Sequence, residues 1–353
     1  MKNLPKTIYS GPQGNNHVQG IAIDTKREYI YYSFTTKLIK SDMAGNIVGS
    51  VNGLIGHMGC LDFNDADGKV YGSLEFKQDS IGKGILKSLG INKEIKDAFY
   101  IAVFDVDKID RMDMDAEKDG VMKTVYLKDV VEDYLGTSPE GKKHVHGCSG
   151  IDGIAFGPDF GDFKGEKQYL KVAYGIYSDV ERNDNDHQVI LSYDVSDWDK
   201  YLTPLSQGNP HENGPEKHRK YFVYTGNTVY GVQNLEYDGY TGNFLMAVYK
   251  GQKEKFPNYP MYAIDGSAQP EEKMIDGKTV FTVPLLKQGA YHEASGIYGF
   301  TFEWGSTGLF SLDNGFFYVS HHGKTPEGEQ TSTVRMYRYT GAGENPFEIV
   351  EEN

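Results

Sequence analysis

The chain has 353 residues, enough to bury a large core, with a formal net charge of −14 and only two cysteines. Like-charge repulsion argues against a nucleic-acid backbone or an anionic membrane as partner and leaves cations and neutral or cationic small molecules as the favoured ligands. No apolar run approaches the roughly 18–20 residues that cross a bilayer and the first residues carry no signal-peptide pattern, so the expectation is a soluble, cytoplasmic protein.

Twenty-six tyrosines and 42 glycines suit many short strands joined by tight turns. In chain order, "KTIYSG" (6–11) is a short strand. From His17 onward one phrase recurs: "HVQGIAI" (17–23), "HMGCLDF" (57–63), "GIDGIAF" (150–156), "GVQNLEY" (231–237) and "GIYGFTF" (296–302). An apolar residue stands second, a small residue or Asn fourth, and apolar residues fifth and seventh. That alternation is a strand with one buried face. Each copy leads through a turn into a second apolar strand, at 29–34, 69–76, 169–177, 243–249 and 315–322. The turns "NDADG", "DGYTGN" and "LDNG" contain the Asn, Asp and Gly that tolerate positive φ. A third strand follows, ending on Asp42, Asp105, Asp194 and Asp265, with "VRMYRYT" in the last copy. A fourth closes each unit: "NIVGSV", "KTVYLKDV", "KYFVYTG", "KTVFTVPL" and "PFEIVEE".

Four antiparallel strands repeated five times predict an all-β fold, a β-propeller of five blades spanning 1–353 as a single domain. The repeated phrase is then the innermost strand of each blade. Successive phrases start 40, 93, 81 and 65 residues apart, so insertions are large, and the longest interval leaves room for a sixth blade as the alternative. Within it, 76–97 reads as a lid-like insertion with a short helix, and 106–123 as an acidic loop. "KTIYSG" is expected to pair with the last blade and close the ring, as an edge strand requires. The rhythm "GIAID … YIYYSF … LIKSD … NIVG" resembles the propeller superfamily of NHL-repeat and gluconolactonase-like proteins. The resemblance implies the architecture and transfers no catalytic residue.

In a propeller the start of the first strand and the end of the second meet on one face around the channel. Eight of the ten histidines fall there, with Glu75, Asp152, Asp179, Glu293 and Lys250. Function concentrates in loops carried by a rigid scaffold, so this is the expected binding face. The third position of the phrase should point into the channel mouth: Gln19, Gly59, Asp152, Gln233 and Tyr298.

His57, Glu75, Asp152 and Glu293 are the candidate catalytic residues, because a carboxyl group or imidazole can move a proton in the transition state. His17, Gln19, Gln233, Tyr298 and Tyr177 are candidate ligand contacts. "HVHG" places His144 and His146 on one face if extended, a spacing that can ligate a transition metal, with His322 as a further ligand. A divalent cation, Ca²⁺ or Zn²⁺, is therefore the one cofactor considered, and no nucleotide-binding glycine loop is present. "DAEKDG" (115–120) starts like a calcium loop, but Tyr126 stands where its twelfth-position Glu belongs. "GCSG" lacks the G-x-S-x-G elbow of a hydrolase serine. Cys60 and Cys148 read as buried thiols, with one bridge between them as the alternative.

Two functions fit. One is a hydrolase or lyase for a small polar molecule, carbohydrate or lactone, metal-assisted or acid–base. The other is a non-catalytic propeller that binds a ligand or protein on the same face. Convergence of the acids and imidazoles in one pocket separates them.

Overall fold

The computed structural model describes residues 4–162 and 165–352. Its strands form a five-bladed β-propeller. Blade 1 is Val18–Ile23, Tyr29–Phe34, Lys37–Asp42 and Ile47–Asn52; blade 2 is His57–Asn64, Lys69–Phe76, Ala98–Phe104 and Met122–Tyr126. Blade 3 is Cys148–Gly157, Tyr169–Ile176, His187–Tyr193 and Arg219–Tyr224. Each of these is an antiparallel meander running outward from the channel. The 93-residue interval contains no sixth blade: its extra length is the helix Ser80–Ser88, the loop before Met122, and the helix Lys128–Leu135.

Two expectations about blades 4 and 5 need correction. Blade 4 has three strands, Val229–Asp238, Asn243–Tyr249 and Met261–Ile264. The stretch expected as its fourth strand, Lys278–Thr282, instead forms a hairpin with Glu271–Ile275 and pairs in parallel with Arg219–Tyr224 of blade 3. The innermost strand of blade 5 is Leu309–Ser311, followed by Phe316–Lys324, Gln330–Tyr339 and Phe347–Ile349. "GIYGFTF" is a decoy, because its Ile297–Gly299 forms a two-stranded sheet with Ala290–His292 and its Phe300 bridges Met261 at the outer edge of blade 4. The true fifth copy, "GSTGLFS" (305–311), keeps the small residue at Gly308 and Leu309 after it but breaks the apolar pattern at its second and seventh positions, both Ser.

Outer edges are covered by the following unit, which removes open strands that would template association. Met114–Asp115, from the third connection of blade 2, pairs with the last strand of blade 1. Thr203–Pro204, from blade 3, pairs with the last strand of blade 2, and the 271–282 hairpin repeats the device on blade 3. Thr7–Tyr9 pairs with Gln330–Tyr339 and closes the ring, as expected.

Around the channel, the fourth phrase position forms a ring of small groups, each against the next blade. A Cβ on Gly20 would stand 2.8 Å from Cys60 Cα and one on Gly153 would stand 2.8 Å from Val232 Cγ1. Cys60 Sγ donates to the Ile154 carbonyl at 3.5 Å, Asn234 Nδ2 to that of Ser306 at 3.0 Å, and Gly308 packs against Ile21. Five innermost strands approach so closely that larger side chains do not fit, which is why the repeat demands a small residue there. Cys60 and Cys148 are both free and buried, so there is no bridge between them. Among the described residues no helix is long and apolar enough to cross a membrane.

Candidate functional site

The third position of the phrase projects into the channel mouth for a reason visible in the strand pairing. The innermost strands of blades 1 to 4 each carry a register shift there, between Val18 and Gly20, Met58 and Leu61, Ile151 and Ile154, and Val232 and Asn234. A bulge inserts one unpaired residue and re-aims its side chain. Gln19, Asp152 and Gln233 occupy these bulges and line a cavity of about 400 Å³ with His17, His57, Glu75, Lys77 and the helix Ser80–Ser88.

His57 and Glu75 are direct cross-strand partners in blade 2, and Asp152 approaches from blade 3. His57 Nδ1 lies 3.6 Å from Glu75 Oε1 and 3.7 Å from Asp152 Oδ1. It is buried and makes no hydrogen bond. Two glycines make this convergence possible. A side chain at Gly59 would run into Asp152 Oδ1 and Ser73 Oγ, and one at Gly150 would collide with Glu75 Oε2, which instead accepts from the Ile151 N–H at 3.1 Å. Gln233 Nε2 donates to Asp152 Oδ2 at 3.1 Å and to the Tyr230 carbonyl at 2.9 Å. Gln19 Nε2 donates to Thr35 Oγ1 at 3.2 Å.

Lys77 supplies the fixed charge. It pairs with Glu75, stands 3.7 Å from Asp79, and donates to the Ser149 carbonyl at 2.8 Å. Burial opposes its charge, but Glu75 and Asp79 hold it protonated, above the usual lysine range. Burial, reinforced by Lys77, pushes the His57 imidazole down to about 3, so it is neutral near pH 7. Burial raises Glu75 against the pull of Lys77. Burial and the neighbouring Glu75 raise Asp152 well above the ordinary carboxyl range. The ammonium paired with Glu75 favours the ionised form there, and burial beside Glu75 favours the neutral form of Asp152.

The donor types for a divalent cation, two carboxylates and an imidazole, are close together, yet their arrangement does not suit a resident metal. Lys77 already occupies the cationic position against Glu75, and a dication beside a buried ammonium would be repelled. Among the described residues no group of three or more His, Cys, Asp or Glu is placed to hold a metal ion.

The other expected site residues are dispersed. His17 lines the cavity, and His322 lies behind it with ring centroids 5.1 Å apart. His144 and His146 are not in an extended stretch; both have positive φ in a tight turn. His144 Nδ1 meets the Tyr134 carbonyl at 2.5 Å, and His146 packs edge-on against Phe222 in a different cavity. Tyr177 donates to Asp79 Oδ2 at 3.0 Å, so it braces the N-cap of the helix Ser80–Ser88. Glu293 is exposed in the turn after Ala290–His292. Tyr298 stacks on Tyr291 and borders a cavity with His187 and Tyr224; loss of its place in an innermost strand removes it from the channel mouth. In "DAEKDG", Asp115 closes a turn through the Glu117 and Lys118 N–H groups and pairs with Lys118 at 2.8 Å. Lys77 is the residue that sequence reasoning missed. Its signal was strand alternation, which puts positions 75 and 77 of "LEFK" on one face.

No family model and no curated protein matches this chain. Solved structures with a similar course include a gluconolactonase of Xanthomonas campestris (9% identity, 92% of this chain and 87% of that one, TM-score 0.34). Another is the PQQ domain of a pyranose dehydrogenase from Coprinopsis cinerea (12% identity, 91% and 82%, TM-score 0.38). A third is a calcium structure of a Trichoderma reesei carbohydrate-active enzyme of family AA12 (12% identity, 91% and 81%, TM-score 0.37). At these scores the likeness transfers no residue role, and the five-bladed arrangement rests on this chain's own strand pairing.

Proposed function

We propose that the channel mouth is an acid–base active site for hydrolysis of a small polar molecule, with a sugar lactone or related cyclic ester as the substrate class. The observation that carries this reading is the unpartnered, buried His57 Nδ1 set between Glu75 and Asp152 on the cavity floor. A buried polar atom without a partner costs about 1–3 kcal/mol, and here that atom stands between two carboxyl groups at a cavity.

In the proposed reaction water adds to the ester carbonyl and gives its proton to His57 Nε2. Lys77 and the carboxyl of Asp152 face the negative charge that develops on oxygen. The carbon–oxygen ring bond breaks, and Asp152 protonates the leaving oxygen. His57 then passes its Nδ1 proton to Asp152, and exchange with water, which takes the Nε2 proton and supplies one to Nδ1, restores the starting tautomer. The 3.7 Å between them is roughly 0.5 Å beyond the outer hydrogen-bond length, a gap that a small side-chain movement closes. Glu75, held by Lys77, stabilises the transient imidazolium. The carboxamides of Gln19 and Gln233 and the hydroxyl of Thr35 supply contacts to a hydroxylated substrate.

The test is proton release from aldono-1,5-lactones at pH 6–8, above the spontaneous rate, by wild type, His57→Gln and Asp152→Asn. The expected result is saturable turnover that falls by ~10²–10⁴-fold in either variant. Turnover unchanged in both variants would overturn the assignment. Lactone binding without turnover would establish the recognition reading instead.

A further inference from the structure

The cavity has a second wall whose composition the floor chemistry does not explain. Helix Ser80–Ser88 turns one face to it, comprising Ser80, Ile81, Gly84, Ile85 and Ser88. The helix is well anchored. Asp79 caps it by accepting from the Ile81 and Gly82 N–H groups at 3.0 and 2.9 Å, while Tyr177 braces Asp79 from behind.

Its two glycines differ in kind. Gly82 is required by the fold, because a Cβ there would drive into the Lys77 carbonyl. Gly84 has no such reason: a Cβ would meet nothing within 4 Å, and its φ is not in the left-handed region. A glycine inside a helix sacrifices stability relative to alanine, so its use at the cavity-facing position calls for an explanation outside the fold. The neighbours supply one. Ile81 and Ile85 flank Gly84 on the cavity side, between Ser80 and Ser88, so the middle of this wall is apolar, whereas the opposite floor is built of carboxylates, carboxamides and an imidazole. An occupant matching both walls has an oxygen-bearing edge and a face of C–H bonds, which describes a hydroxylated six-membered ring.

We propose that Gly84 is a specificity-determining contact, where the helix backbone receives the C–H face of a hydroxylated ring whose polar edge meets the His57–Asp152–Gln233 floor. This rests on the reading of the channel mouth as a substrate site and deepens it by fixing the occupant's shape. Side chains at position 84 grade access: a methyl group shallows the cavity, and a branched side chain fills the space over the floor.

The experiment uses D-glucono-1,5-lactam, a ring polyol that resists hydrolysis, and the full chain as wild type, Gly84→Ala, Gly84→Val and Asp152→Asn. Affinity is read by titration calorimetry and folding by thermal unfolding without ligand. Gly84→Ala is expected to raise Tm by roughly 1–3 °C and weaken lactam binding at least tenfold, with Gly84→Val weakening it further. A Tm lowered by several degrees in Gly84→Ala would show that the fold needs this glycine and would overturn the proposal. Wild-type affinity in Gly84→Ala, together with loss of affinity in Asp152→Asn, would overturn the helix contact while leaving the floor assignment standing. No binding of the lactam to wild type would overturn the ring-polyol occupant and the substrate class together.

Discussion

Asn234 donates from Nδ2 to the carbonyl of Gln19, 215 positions earlier in the chain, at 2.9 Å. The same nitrogen reaches the carbonyl of Ser306 at 3.0 Å, so one carboxamide joins the innermost strands of blades 4 and 1 to the turn that leads into blade 5, where the ring closes. It also fixes the backbone of Gln19, whose side chain lines the cavity. Asn234→Ala leaves two half-buried carbonyls without that donor, an expected loss of about 0.5–1.5 kcal/mol. Urea unfolding should show a lower midpoint with an unchanged slope. An unchanged midpoint would mean that the ring closes without this contact.

The repeat was legible because its period is enforced by packing. Positions two, five and seven face neighbouring blades, and position four must be small where five strands converge, so Gly20, Cys60, Gly153 and Asn234 announce themselves. Blade 5 escaped because "GIYGFTF" satisfies the same alternation locally, while the real strand at Leu309–Ser311 is short and has Ser311 turned toward Glu236 and Asp238. The site was half legible. Third-position residues could be read off, since a bulge exposes them, and so could His57 and Glu75 as loop-proximal partners. Which distant loops meet was not legible: nothing local tells that His146 turns to Phe222 or that Lys77 folds back on Glu75.

Both thiols should be inert in the native state. Burial pushes Cys60 up to about 12 and Cys148 higher, and it is the thiolate that reacts. A chromogenic disulfide reagent at pH 8 should therefore titrate neither thiol in the folded protein and both after denaturation. Rapid native reaction of one thiol would show an opening of the channel wall beside it.

At the opposite channel mouth Asp62 and Glu236 are buried near each other. Burial raises Asp62 to about 7, and burial plus Asp62 raise Glu236 well above its ordinary range. Between the ordinary carboxyl pKa, near 4, and about 7 the folded chain holds more protons than the unfolded chain. This pair's contribution to stability therefore falls as pH rises through that window. Buried histidines with lowered pKa act in the opposite sense below about 6.5, so the informative quantity is a difference between proteins. Glu236→Gln keeps an acceptor for the Ser311 N–H and removes one charge. Its stability relative to wild type should grow from pH 5 to pH 8 in urea unfolding. A constant difference would show that the two carboxyl groups do not titrate in this range.

Lys77 gives the sharpest test of the electrostatic account of the site. Its ammonium helps keep the His57 imidazole neutral and makes Glu75 the ionised carboxylate. Lys77→Met removes that repulsion and leaves Glu75 unpaired, so a proton should move onto His57. The imidazole, followed by ¹⁵N–¹H correlation spectra, should titrate well above the wild-type value of about 3 and approach the ordinary histidine range. Breaking a buried pair from one side costs about 3–5 kcal/mol, so the fold needs its own control. Lys77→Met with Glu75→Gln removes both charges and should recover most of the lost stability. In that double variant Asp152 alone faces the ring, and the His57 shift should shrink relative to Lys77→Met. Identical imidazole titration in all three proteins would mean that burial alone sets the His57 proton, and Lys77 would then be a structural ion-pair partner.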